Sequence, residues 1–252
     1  MKKNLDIRIK TPEELVTLRE AGHILARILE KIKSSLKIGI TTREIDTAAA
    51  QMIMQENVLP AFKGYRGYPA CLCISVNEEV VHGIPGDRVI KSGDIVSIDI
   101  GIIYRQYFSD MAVTVGIGEL EPRYRKLLDV TRQALYKGIA QARSGARLGD
   151  VSHAIQAYAE AKGFSIVRDF VGHGIGRQLH EDPEIPNYGR PGTGPLLKPG
   201  MVLAIEPMVN MGGFQTKTLK DGWTVITADR KPSAHFEHTV AVTEQGPVIL
   251  TE

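Results

Sequence analysis

Apolar residues recur at helical spacing over residues 12–34, where Leu15, Leu18, Ile24, Leu25, Ile28 and Ile32 follow a proline near the start. A second helix is predicted over 42–55, opened by Thr41-x-x-Glu44, a pair that can exchange hydrogen bonds with first-turn amides. The two-helix pattern returns over 121–142 and 149–162. Elsewhere the period drops to two. A strand over 94–101 puts Ile95, Ser97 and Asp99 on one face and Val96, Ile98 and Ile100 on the other. A later strand sets Val202, Ala204 and Glu206 against Met201, Leu203 and Ile205. In both, the bulky face suits packing under helices, and the face bearing the acid is lined by small residues that leave a hollow.

These segments are copies of one unit. Lys91-Ser-Gly-Asp-Ile-Val-Ser-Ile-Asp99 matches Lys198-Pro-Gly-Met-Val-Leu-Ala-Ile-Glu206, and upstream Gly39 with Glu44-Ile45 matches Gly145 with Asp150-Val151 in nearly the same register. Downstream, Asp110 opens an alternating strand as Glu237 does, but the second copy carries about twenty extra residues, expected as a loop, which include the single tryptophan, Trp223. No Pro/Gly/Ser-rich linker separates the copies. The expectation is one α+β domain over 1–252, with pseudo-twofold halves of about 1–117 and 118–252. Its strands would merge into an antiparallel-rich central sheet with helices on the outer face.

Composition narrows the function classes. At 252 residues, 43% hydrophobic and 24% charged, the chain is globular, and its net charge of +2 lacks the basic excess of a nucleic-acid binder. The opening MKKNLDIRIK lacks the apolar core of a secretory signal, and no apolar run nears the roughly 20 residues of a membrane span. A soluble cytoplasmic protein is expected. The only cysteines, Cys71 and Cys73, are expected to point the same way along a strand as reduced thiols, with C-x-C metal binding the weaker option.

The acids carry the chemistry. Asp99, Asp110, Glu206 and Glu237 stand at repeat-related positions, so all four are expected to converge near the pseudo-twofold axis. A single acid at a strand end is commonly a turn cap or a surface ion pair, but four in one partly buried cleft need cations. Two divalent ions would balance their charge, and carboxylate oxygens suit hard or borderline metals. Three histidines lie in or at the end of glycine-containing stretches: His82 in Val-Val-His-Gly-Ile-Pro, and His173 and His180 in Val171-Gly-His-Gly-Ile-Gly-Arg-Gln-Leu-His180. One is expected as a metal ligand and two as hydrogen-bond donors, whereas His23 and His153, on helical segments, read as hydrogen-bonded structural residues.

The ordered set Asp99, Asp110, His173, Glu206 and Glu237, with His-Gly-Ile-Gly and Ile205-Glu206-Pro207, resembles the type I methionine aminopeptidases in their bacterial form, from about residue 8 onward. The resemblance implies the pita-bread fold and removal of the initiator methionine from nascent polypeptides with a small second residue. It implies that Asp99 binds one metal, His173 and Glu206 the other, and that Asp110 and Glu237 bridge them. The ions would be Co, Mn, Fe or Zn. His82 and His180 would contact substrate, and Tyr65, Tyr68, Cys73 and Trp223 would line the methionine pocket. Two positions depart from the pattern: Leu179 stands where an aromatic residue is frequent, and His235 replaces a usual glutamine. Glu206 is assigned as general base, with His180 and His82 donating to the peptide and the developing oxyanion. The expected partners are N-terminal methionine peptides, with the ribosome a candidate and neither nucleic acid nor membrane among them, and the expected state is a monomer. Two alternatives remain: an X-Pro-type peptidase or creatinase-like hydrolase on the same fold, whose members generally carry an added N-terminal domain, and a catalytically inactive binding module, which would have lost ligands.

Overall fold

Thr11 and Glu14 exchange side-chain and backbone hydrogen bonds at the start of α1 (Pro12–Ser35), and Thr41 and Glu44 do the same for α2 (Thr42–Gln55). The second pair of helices is α3 (Pro122–Ile139) and α4 (Leu148–Ala161). Helix α3 stops three residues before its predicted end, because the amides of Gln141 and Ala142 bond three residues back, to Gly138 and Ile139, and tighten the chain into a turn. The computed structural model describes residues 5–252; the first four residues of the MKKNLDIRIK opening lie outside the described residues.

The strands are β1 (Leu59–Pro60), β2 (Leu72–Val76), β3 (Glu79–Val81), β4 (Ile95–Tyr104), β5 (Tyr107–Gly116), β6 (Ser165–Ile166), β7 (Gly172–Gly174), β8 (Glu181–Ile185), β9 (Val202–Ile205), β10 (Met208–Asn210), β11 (Thr216–Thr218), β12 (Val225–Thr227), β13 (Ser233–His235), β14 (Glu237–Thr243) and β15 (Gly246–Ile249). Nine form one antiparallel sheet in the order β1-β4-β5-β14-β9-β7-β8, with β2 added to β4 and β15 to β14.

One face of this sheet is covered by the helices. Leu25, Ile28 and Ile45 of α1 and α2 bury Val96, Ile98 and Ile100 of β4, while Leu127, Leu135, Val151 and Ile155 of α3 and α4 bury Met201, Leu203 and Ile205. The matched repeats fold alike: Gly39 and Gly145 take left-handed φ of 92° and 84°, and bridges link Thr41 to Val89 and Arg147 to Leu196. This is the pseudo-twofold α+β pita-bread fold, and the face turned away from the helices holds the acids.

Three expectations are corrected. The twenty-residue insertion is not an irregular loop: β11 and β12 form a hairpin whose β12 pairs with β3, and β10 pairs with β13 on one side and β6 on the other. Cys71 and Cys73 do not point the same way. Cys71 precedes β2, its amide is held by Asp46 Oδ1 (2.9 Å), and it joins the helix-side core, while Cys73 faces the opposite side; both thiols are free. His23 and His153 lie on exposed helix faces instead of serving as internal hydrogen-bonding groups. Among the described residues no helix is long and apolar enough to cross a membrane.

Candidate metal centre and substrate cleft

Five adjacent strands bring the predicted donors together. Asp99 on β4 pairs with Ala112 of β5, and Glu237 on β14 pairs with the same alanine from the other side. Asp110 lies two residues along β5, on the same face. Ala204 of β9 pairs with His173 of β7 and with Thr239 of β14, and Glu206 follows two residues on. The small side chains of Ala112 and Ala204 leave the space that the acids occupy. Gly172 brings β7 equally close, since a Cβ there would lie 2.3 Å from the Ala204 carbonyl oxygen.

Donor atoms of Asp110, His173 and Glu237 all lie within 4.8 Å of one another, and the three residues are buried. His173 Nε2 stands 4.0 Å from Asp110 Oδ2 and 3.5 Å from Glu206 Oε1. Its Nδ1 is 2.9 Å from the Gly174 carbonyl oxygen, which can only accept. The ring proton therefore sits on Nδ1, and Nε2 turns a lone pair toward the acids, the tautomer of a metal ligand.

Burial, reinforced by the neighbouring acids, raises Asp99, Glu206 and Glu237 well above the usual carboxylate range, and burial pushes Asp110 up to about 7. Burial also lowers His173 to about 4, which keeps the imidazole neutral. Asp99 Oδ1 and Glu237 Oε1 are buried with no hydrogen-bond partner. Orphaned carboxylate oxygens beside a neutral imidazole lone pair fit a hard or borderline cation.

A cavity of about 300 Å³ joins this cluster to the predicted substrate residues, for all five acids and ligands, His82, His180, Tyr65, Tyr68, Cys73 and Trp223 line it. Cys73 pairs with Asp99 across β2 and β4. Tyr68 meets Trp223 edge-on at 5.0 Å, and its hydroxyl lies 3.0 Å from the carbonyls of both Leu72 and Gly83, so only its ring is open to a ligand. His82 follows β3 at φ 60°, a strained conformation for a side-chain-bearing residue, with its ring edge-on to Phe170 at 5.5 Å. Burial lowers His82 to about 4. His180 lies 4.3 Å from His173 between ring centroids and holds Nδ1 2.7 Å from the Tyr65 hydroxyl.

The model of metallopeptidase family M24 matches residues 16–244. The chain belongs to that family. The M24 chain is 55% identical over 242 residues to methionine aminopeptidase 1 of Bacillus subtilis, covering 96% of this chain and 98% of the relative. Its structure is similar to that of a Thermotoga maritima methionine aminopeptidase, with a TM-score of 0.96, 49% identity, and 98% and 99% of the two chains covered. A Pyrococcus furiosus prolidase is more distant, at a TM-score of 0.79 and 25% identity; 97% of the M24 chain covers 65% of the prolidase.

Sequence reasoning missed Phe62, Arg66 and Phe170, which also line the cavity with Leu179. Arg66 adjoins Tyr65 and Phe170 adjoins the Val171–His180 stretch, yet no period or spacing in the chain points to any of the three. His235, noted only as a departure, is buried with an unpartnered Nε2 3.6 Å from Glu206 Oε2. Glu206 thus lies between two imidazoles, one near each oxygen.

Proposed function

We propose that this M24 chain is a methionine aminopeptidase of the bacterial type I form that removes the N-terminal methionine of nascent polypeptides. The observation that carries this reading is one cavity whose lining combines five side chains able to ligate metal with aromatic rings and a thiol. Asp99 would hold one divalent ion, His173 and Glu206 the other, and Asp110 and Glu237 would bridge the pair, with Co, Mn, Fe or Zn all suited to the donor set. Bound ions supply Lewis acidity at the scissile carbonyl and lower the pKa of a nearby water.

The chain's own residues do the rest. Glu206 accepts the proton of the attacking water and returns it to the leaving amine, a role that suits a carboxylate buried in the cavity beside the ligand cluster. His82 and His180 donate hydrogen bonds to the peptide and to the oxyanion as charge develops. The ring edges of Tyr65, Tyr68 and Trp223, with Cys73, suit a linear thioether, whose sulfur is polarizable. A small second side chain is required because a bulky one would collide beside the ligand cluster. Residues 1–252 act as one domain whose halves, 1–117 and 118–252, meet at the site. We place this activity in the cytoplasm, in a monomer working on chains as they leave the ribosome.

An X-Pro-type peptidase is the second reading, and the 55% identity to a methionine aminopeptidase against 25% to the prolidase favours the first. The test is turnover of peptides opening Met-Ala-Ser, Met-Gly, Met-Lys and Met-Phe, with chelation and metal readdition. Rapid cleavage of the first two, slow cleavage of the others and loss of activity in chelator are expected. Comparable rates across the series point to a broad aminopeptidase, and turnover in excess chelator removes the metal mechanism.

A further inference from the structure

Two histidine rings lie 4.3 Å apart in the cleft, yet their Nδ1 atoms meet opposite chemistry. His173 faces a carbonyl that can only accept, so its Nε2 is an acceptor. His180 Nδ1 faces the hydroxyl of Tyr65 at 2.7 Å, a group able to donate. We infer that Tyr65 is a positioning residue: its hydroxyl donates to Nδ1 of His180 and so fixes the proton of that imidazole on Nε2, the one ring nitrogen left for the cavity. Two neighbouring imidazoles thereby take complementary roles, one offering a lone pair and the other a proton.

The direction of the hydrogen bond follows from the chemistry of the two groups. A phenolic hydroxyl is a good donor and a weak acceptor, whereas an imidazole nitrogen without its proton is a good acceptor, so the 2.7 Å contact is best made by donation from Tyr65 to Nδ1. The hydroxyl proton has no other acceptor among the described residues.

Both partners are held by locked loops. Around Tyr65, the Gly64 amide bonds the Tyr68 carbonyl (2.8 Å), the Tyr65 amide the Phe62 carbonyl (2.9 Å) and the Tyr68 amide the Tyr65 carbonyl (2.9 Å). Gly64 and Gly67 supply left-handed φ of 87°, and Arg66 is forced to 48° between them. On the other side, Glu181, next to His180, forms a buried ion pair with Lys10 (2.7 Å) and accepts the Gln178 amide (3.1 Å). A hydrogen bond between two such loops sets the ring angle as well as the tautomer.

The use of that proton rests on the peptidase reading, while the tautomer does not. Nitrogen NMR of the metal-free full chain, labelled at histidine, should show His180 protonated on Nε2 alone. Tyr65→Phe keeps the aromatic wall and should let the His180 signals average toward both tautomers. With Met-Ala-Ser peptide and metal, the same variant should lose about tenfold in kcat, the scale of one neutral hydrogen bond, with KM within about twofold. Combined with His180→Ala it should lose nothing further. Wild-type His180 protonated on Nδ1, Tyr65→Phe with unchanged His180 signals, or additive losses in the double variant would each overturn the assignment. Because the spectrum is read without metal or peptide, a wild-type chain that fails to turn over would overturn the peptidase reading while the spectrum still decides the role of Tyr65.

Discussion

Asp110 and Glu237, the proposed bridging ligands, show at the residue scale how a side chain suited to holding metal can be costly to the fold. Both are buried acids among acids, and Asp110 still anchors the Met111 amide through Oδ1 at 3.0 Å. Asp110→Asn and Glu237→Gln keep shape and remove one negative charge. Each variant should lose peptidase activity and at least about tenfold in metal affinity, since even partners of metal ligands carry that much. Each should also melt higher than the wild type when both are metal-free at about pH 8, because a like-charge contact is gone. Calorimetric metal titration with thermal melts checks both halves of this expectation. Normal metal affinity in either variant contradicts the proposed bridging role.

Among the elements, the three-residue strand β7 has the tightest tolerance. It carries His173 between β8 and β9, and both flanking glycines are there for space: a Cβ on Gly174 would come within 2.2 Å of the Asp182 carbonyl oxygen, a backbone atom that cannot rotate aside. Gly174→Ala should therefore displace the β7–β8 hairpin and cost about 1–3 kcal/mol as overpacking. It should also weaken metal binding without altering a ligand. Denaturant melts and metal titration test this, and an unchanged metal affinity would show that the hairpin yields without moving His173. The repeated turns are under a different constraint. Gly93 and Gly200 take φ of 92° and 87° ahead of β4 and β9, so the same left-handed turn launches each acid-bearing strand.

At the scale of the whole molecule, the cluster of acids makes stability depend on pH and metal. Above pH 6.5 the buried His82, His173, His180, His235 and His238, all with lowered pKa, are mainly neutral whether the chain is folded or not. Asp110 is pushed up to about 7 in the folded chain against roughly 3.9 unfolded, and the other three acids are raised too. The folded state then holds more protons than the unfolded one, so stability falls as pH rises. The melting temperature of chelated protein should drop between pH 6.5 and about 8, and added divalent metal should restore more at the higher pH. A melting temperature that is flat or rising in chelator over this window would contradict the raised carboxylates.

The sequence by itself determined the four helices, the alternation of β4 and β9, the duplicated unit and the four acids that meet in the cavity. It could do so because those features are local periods or repeat-related positions: helix α1 has its apolar stripe within 24 residues, and Asp99 and Glu206 occupy matching places after matching glycine turns. Tertiary structure alone decided the rest. Cys71 turned away from Cys73 because Asp46, on α2, captures its amide; the insertion became strands because β3 and β6 offer edges to pair with. Phe62, Arg66 and Phe170 reached the cavity through loops with no period to read. The Tyr65–His180 bond spans 115 residues, and His235 approaches Glu206 from a separate small sheet. Contacts between segments so far apart depend on how the two halves close on each other, and no local pattern of hydrophobic and polar residues encodes that distance.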